Sequence, residues 1–275
     1  MPRPFTETTV TAHRAASPAG TLPAQVIWPA QRSGLAPLIA LHGISRNASE
    51  LVDLLRADAA RSGRIIVVPH FSARRWPHFQ RPCRSARPDQ ALLALLSQLA
   101  VTMPAFAGPV DLFGHSGGAQ LAHRFAMLYP QRVGRLNLAA AGWYCLPDTS
   151  MAHPYGLGAN AAPDALCWAR RHAQALPAYL RLPVQLYVGS DDTLRDASLR
   201  QEPELDRLQG RTRIDRAQTY LDRFRRAALT RGILPDVALT LLPGVTHDVA
   251  RAIRDAGLAR HVTSDPSLAP LAAAC

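Results

Sequence analysis

The chain has 275 residues, 48% of them hydrophobic and 19% charged, which is enough apolar surface to bury the core of one large domain and too much for a disordered chain. No apolar run approaches the roughly 20 residues that a membrane-spanning helix needs. The 31 basic residues, all of them Arg, outnumber 20 acidic ones for a net charge of +11, but they are scattered and lack aromatic interleaving, so no nucleic-acid partner is expected.

The first ten residues carry no apolar stretch of the kind found in a signal peptide, which predicts a cytoplasmic protein, with a secreted form trimmed of its leader as the alternative. Residues 5–14 and 22–29 read as two extended segments joined by a turn at Ser17-Pro18 and Gly20, an antiparallel edge. Residues 37–42 and 64–70 are short continuous apolar runs, the pattern of strands buried on both faces. Between them, residues 47–61 repeat Leu51, Leu54, Leu55 and Ala59 at helical spacing, with Asn47 as the expected cap and Glu50 as its return partner. Residues 88–101 form a second helix with Leu92, Leu95, Leu96 and Leu99 on one side.

A strand at 110–113 then runs into Gly114, and a helix at 119–128 ends before Pro130. Strands follow at 135–141, 184–188 and 237–242. An Arg-rich helix spans 213–231 and stops at Gly232, and a last helix spans 247–258. Strands alternating with helices imply right-handed crossovers and a mainly parallel sheet with helices on both faces. The chain reads as a single domain over 1–275, with residues 143–182 as a small lid insertion in which 163–176 could hold a helix. The tail, 264–275, is rich in Pro and Ala and is expected to be loosely held.

Cys83, Cys145, Cys167 and Cys275 show no CxxC spacing, so zinc-finger and thioredoxin-like readings fall away. Free thiols are the expectation, with a Cys145–Cys167 bridge as the alternative. His70, His78 and His153 share no metal-ligand spacing, so no metal is expected, and Gly156-Leu157-Gly158 lacks the strand and acidic partner of a dinucleotide fingerprint, so no organic cofactor is expected.

Gly114-His115-Ser116-Gly117-Gly118 matches G-x-S-x-G. A serine on a sharp turn between strand and helix is lifted above the sheet, and only small residues fit beside it. The helix N-terminus then points at the hydroxyl, where it can stabilise an oxyanion. The base to pair with Ser116 is His247, just after the last strand. An acid to orient it is Asp191 or Asp192, just after the strand at 184–188. The chain order is Ser, Asp, His, with each residue at the C-terminal end of a strand.

In these segments the sequence resembles the α/β-hydrolase superfamily over residues 37–258, and its 42–48 and 243–247 loops look like those of serine esterases and polyester-depolymerase-like hydrolases. The resemblance implies an α/β-hydrolase fold. It places the acid at the fourth position of a G-x-x-D turn, which is Asp192, with Asp191 as the alternative. It also implies an oxyanion hole from the backbone N–H groups of Ile44 and Gly117. His42 is expected to orient its loop by hydrogen bonding, and His115 to form a pocket wall; Trp143 and Tyr144 are further pocket candidates. The expected activity is hydrolysis of a small or polymeric carboxylic ester through an acyl-enzyme. A thioesterase, a peptidase, or a non-catalytic ligand-binding protein of the same fold are the alternatives.

Overall fold

The computed structural model describes residues 7–83, 86–161 and 165–265. Two strands open the chain, β1 (Thr8–Ala15) and β2 (Leu22–Pro29), paired antiparallel along their whole length. There follow β3 (Leu38–Leu41), helix α1 (Ala48–Ser62), β4 (Ile66–Pro69), α2 (Pro88–Thr102), β5 (Val110–His115) and α3 (Gly117–Leu128). Then come β6 (Val133–Ala139), α4 (Ala165–Tyr179), β7 (Val184–Gly189), α5 (Pro203–Gln209), α6 (Arg213–Leu229), β8 (Val237–Leu242), α7 (Val249–Arg254) and α8 (Leu258–Thr263). The eight strands form one sheet in the order β1-β2-β4-β3-β5-β6-β7-β8, and every pairing from β4 to β8 is parallel.

The parallel strands are apolar on both sides because both sides are covered. Leu38 and Ala40 of β3 pack with Leu51, Val52 and Leu55 of α1 and with Leu258 and Val262 of α8. Ile39 and Leu41 face the other way, toward a larger core with Leu92 and Leu96 of α2, Leu121 and Phe125 of α3 and Tyr220 and Phe224 of α6. Each such side chain contributes about 1.5–3 kcal/mol by leaving water. Helix α3 is buried on every side, and its His123 and Arg124 side chains find backbone partners within the core. His123, for example, accepts from the Cys145 N–H at 3.0 Å.

Three local expectations need correction. Asn47 flanks α1 but makes no capping bond; its amide donates to the Glu50 carboxylate at 2.7 Å instead. The expected last helix, 247–258, is shorter, α7 alone, and a further short helix, α8, follows it after Gly257 takes a left-handed turn at φ 68°. Helix α5 was not expected at all. The thiol of Cys145 is free and buried, donating to the Gly156 carbonyl at 3.1 Å. The Cys167 side chain, Cys275 and most of the expected loose tail lie outside the described residues.

Candidate active site

Ser116 stands between β5 and α3 with φ 54° and ψ −115°, a conformation that non-glycine residues rarely adopt. The two glycines flanking the motif permit it. A Cβ on Gly118 would lie 2.1 Å from the Leu41 carbonyl oxygen of β3, and one on Gly114 would lie 2.4 Å from the Gly118 backbone. Helix and strand can therefore meet only through bare backbone, and the Ser116 hydroxyl is carried to the C-terminal edge of the sheet.

Strand β7 delivers the carboxylate. It ends at Gly189, where a Cβ would stand 1.9 Å from the Val245 carbonyl oxygen of the loop after β8. The two loops are laced together: the Ser190 N–H donates to Leu242 O, and the Asp191 N–H to Val245 O at 3.0 Å. Asp192 then turns inward, its N–H bonded to Gly189 O at 3.1 Å, and is 2% exposed. Asp191 is exposed and accepts from the Ser190 hydroxyl at 2.8 Å. It does not pair with Arg195, which binds Asp206 at 2.7 Å.

His247 lies between the other two side chains. Its Nδ1 is 3.0 Å from Asp192 Oδ2 and its Nε2 is 3.1 Å from Ser116 Oγ. A carboxylate only accepts, so Nδ1 carries the proton and Nε2 is free to accept from the serine hydroxyl. Asp248, next in sequence, is turned away to cap α7 by accepting from the N–H groups of Ala250 and Arg251. The structure thus brings together Ser116, Asp192 and His247 across 131 and 55 residues of sequence separation.

Ile44 approaches from the loop after β3. Its backbone nitrogen is 3.4 Å, and its Cγ2 is 2.7 Å, from where a Gly117 Cβ would be. Neither the Ile44 nor the Gly117 N–H meets an acceptor among the described residues. His42 holds this loop with both ring nitrogens: Nδ1 donates to Gly43 O at 2.8 Å and Nε2 accepts from the Phe71 N–H at 3.0 Å. Burial, and secondarily His70 and Arg46, lower its pKa to about 4. His115 stacks on His247 at 5.0 Å; burial first, then His247 and Arg213, hold it well below the ordinary histidine range. Both are neutral rings, and neither is placed as a second base.

A cleft of about 390 Å³ opens over Ser116 and His247, walled by His42, Ile44, His115, Ser198 and Val249. No described residue of 143–182 lines it. Trp143 and Tyr144 are corrected accordingly, being core residues. Trp143 lies within 4.4 Å and 5.1 Å of the Arg124 and Arg200 guanidinium carbons and meets Tyr155 edge-on. Tyr144 is fully buried and stacked on Tyr220 at 4.4 Å.

The sequence reading missed two arginines. Arg46, itself at φ 63°, donates to Phe71 O and, at 3.0 Å each, to Trp76 O and Pro77 O, tying the 71–77 loop to the Ile44 loop. Arg213 opens α6, and its guanidinium binds the Asp192 oxygen that faces away from His247, Nη1 to Oδ1 at 2.9 Å. The local signal for its position is the pair Thr212 and Asp215, which form a reciprocal capping box at the start of α6.

No family model and no curated protein sequence matches the chain. Among solved structures it is similar to poly(aspartic acid) hydrolase-1 from Sphingomonas sp. KT-1, with a TM-score of 0.76 and 23% identity over 94% of this chain and 98% of that one. It is similar to a poly(3-hydroxybutyrate) depolymerase from Bordetella parapertussis, with a TM-score of 0.75 and 24% identity over 94% and 96% of the two chains. An S-formylglutathione hydrolase from Agrobacterium tumefaciens aligns at a TM-score of 0.57 and 16% identity over 94% and 95%. At these identities the likeness is one of fold.

Proposed function

We propose that this chain, which has the α/β-hydrolase fold, is a serine hydrolase of carboxylic esters. The observation that carries the reading is the position of His247, within hydrogen-bond reach of Ser116 Oγ on one side and Asp192 Oδ2 on the other. Ser116 Oγ attacks the ester carbonyl as its proton passes to His247 Nε2. Asp192 holds the ring in the Nδ1–H tautomer and stabilises the imidazolium. The negative charge that develops on the carbonyl oxygen is met by the N–H groups of Ile44, in the loop after β3, and of Gly117, at the start of α3. His247 returns the proton to the departing alcohol, and water, activated by the same ring, releases the acid from Ser116.

The names of two similar structures, a polyester depolymerase and a poly(aspartic acid) hydrolase, favour a polymeric substrate. We read the bond cleaved as an ester, with thioester and amide cleavage as the competing outcomes of a substrate panel. The test combines two measurements. A fluorophosphonate should label Ser116, and Ser116→Ala should lose turnover of p-nitrophenyl acetate by about 10⁴- to 10⁶-fold with the fold intact. Labelling at another residue, or a Ser116→Ala protein that keeps a few per cent of activity, would overturn the assignment. A labelled protein that cleaves only thioesters or amides would keep the mechanism and change the substrate.

A further inference from the structure

Arg213 is among the most deeply buried charges in the chain: its side chain is 0% exposed and that of Asp192 is 1% exposed. The two guanidinium Nη atoms have separate duties. Nη1 donates to Asp192 Oδ1 at 2.9 Å. Nη2 donates to Ser198 Oγ at 2.6 Å and reaches Asp196 Oδ1 at 3.3 Å, while Nε has no acceptor among the described residues. Ser198 lines the cleft over Ser116. One planar group therefore touches both the carboxylate behind His247 and the loop in front of it.

A buried ion pair gains little net stability, because desolvation of both charges offsets their attraction. Packing alone therefore gives no reason for a charged fork at this position. What the fork does provide is direction. A carboxylate held at one oxygen only can rotate about its Cβ–Cγ bond; held at both, it presents Oδ2 to His247 in one plane. The cation also offsets part of the carboxylate's pull on the imidazolium.

The geometry points to Arg213 as a positioning residue for the proposed hydrolysis: it orients Asp192 toward His247, moderates its charge, and anchors the Asp196–Ser198 segment of the cleft wall. This rests on the serine-hydrolase reading above. The other charged or titratable groups facing the pair are His115, stacked on His247, and Asp196; Asp248 lines the cleft but is turned to cap α7. Glu50 lines the far side of the cleft. Arg216, one turn further along α6, is held by Asp206 at 2.8 Å and by the Gly142 and Arg200 carbonyls.

The test compares Arg213→Gln and Arg213→Lys with the wild type by steady-state kinetics on p-nitrophenyl acetate, and by NMR titration of the His247 ring in resting protein. Arg213→Gln should lower kcat about tenfold to a hundredfold with little change in KM. It should also move the ring's titration midpoint up by about one pH unit, because a buried cation is gone and the carboxylate remains. Arg213→Lys keeps the charge without the fork, so the midpoint should return to the wild-type position while kcat stays at least about threefold low. A Gln variant with a wild-type midpoint, or a Lys variant shifted as far as Gln, overturns the proposal. Should Arg213→Gln fail to fold, Arg213→Lys decides alone: reduced kcat at an unchanged midpoint supports it, and wild-type kcat overturns it. The ring titration is read without turnover. A wild-type protein that no fluorophosphonate labels would sink the hydrolase reading, while the midpoint shift would still decide Arg213's hold on the pair.

Discussion

Gly189 and Val245 touch where neither can grow: a Cβ on Gly189 would sit 1.9 Å from the Val245 carbonyl oxygen. Asp192 follows the first residue and His247 the second, so this contact sets how far apart the carboxylate and the imidazole stand. Gly189→Ala should therefore push the two loops apart and lengthen the 3.0 Å bond between Nδ1 and Oδ2. A displacement of about 1 Å is enough to cost on the order of 10²-fold in kcat. A Gly189→Ala protein with wild-type kcat and melting temperature would show that the loops can absorb the methyl group.

Asp192 and Asp191 separate by direction. Adjacent residues leave the strand end on opposite sides, one buried against His247 and Arg213, the other exposed beside Ser190. Asp192→Asn should lose about 10⁴-fold in kcat, since the amide favours the wrong tautomer and carries no charge. Asp191→Asn should stay close to wild type. Measured kcat values for the two variants in the reverse order would move the acid by one residue.

Stability should fall on mild acidification, before the carboxylates titrate. His42 and His172 both have pKa values lowered from 6.5 to about 4, in each case chiefly by burial. The folded chain resists protonation that the unfolded chain accepts. Stability from these rings is complete above about pH 6.5, is lost as the pH drops toward 4, and changes no further below it. A shift of this size corresponds to about 3 kcal/mol per ring. Urea unfolding at pH 7.5 and 4.5 measures the loss, and His172→Gln, remote from the cleft, should reduce it. Equal unfolding free energies at the two pH values would contradict the burial argument.

Residues 143–157 should behave as core and not as a substrate-range device. Trp143, Tyr144, Leu146 and Leu157 are all buried, and the Gln209 side chain clamps Tyr144 by accepting from its N–H and donating to its carbonyl. Trp143→Ala should lower unfolding free energy by about 3–5 kcal/mol. In the folded fraction, activity on acetate and on longer acyl esters should change in proportion. A selective change in chain-length preference with stability unaltered would support the lid reading of 143–182.

Much of this was legible in the sequence, for identifiable reasons. The buried strands announced themselves as short apolar runs such as Leu38–Leu41 and Ile66–Pro69, because a strand covered on both faces has no polar side to show. The serine turn was legible because the glycines that its close packing requires fall within five residues of one another. Arg213 was not: its partners lie 15 to 21 residues away, and in a chain whose 31 basic residues are all Arg no single one stands out. Trp143 and Tyr144 misled because aromatic residues after a strand end look alike whether they line a cleft or fill the space beneath it. The early end of α7 had a signal in Gly257 that the sequence reading of 247–258 passed over.

The positive φ of Ser116 carries a consequence for how this chain tolerates change. A non-glycine residue in that region holds roughly 1–3 kcal/mol of backbone strain, which glycine would largely relieve. Ser116→Gly should therefore melt higher than Ser116→Ala, and higher than the native protein wherever relief of strain exceeds the added freedom of the unfolded chain. Folding and turnover pull in opposite directions at this one residue. A selection for thermal resistance alone, run without a turnover screen, would favour the replacement that removes the hydroxyl.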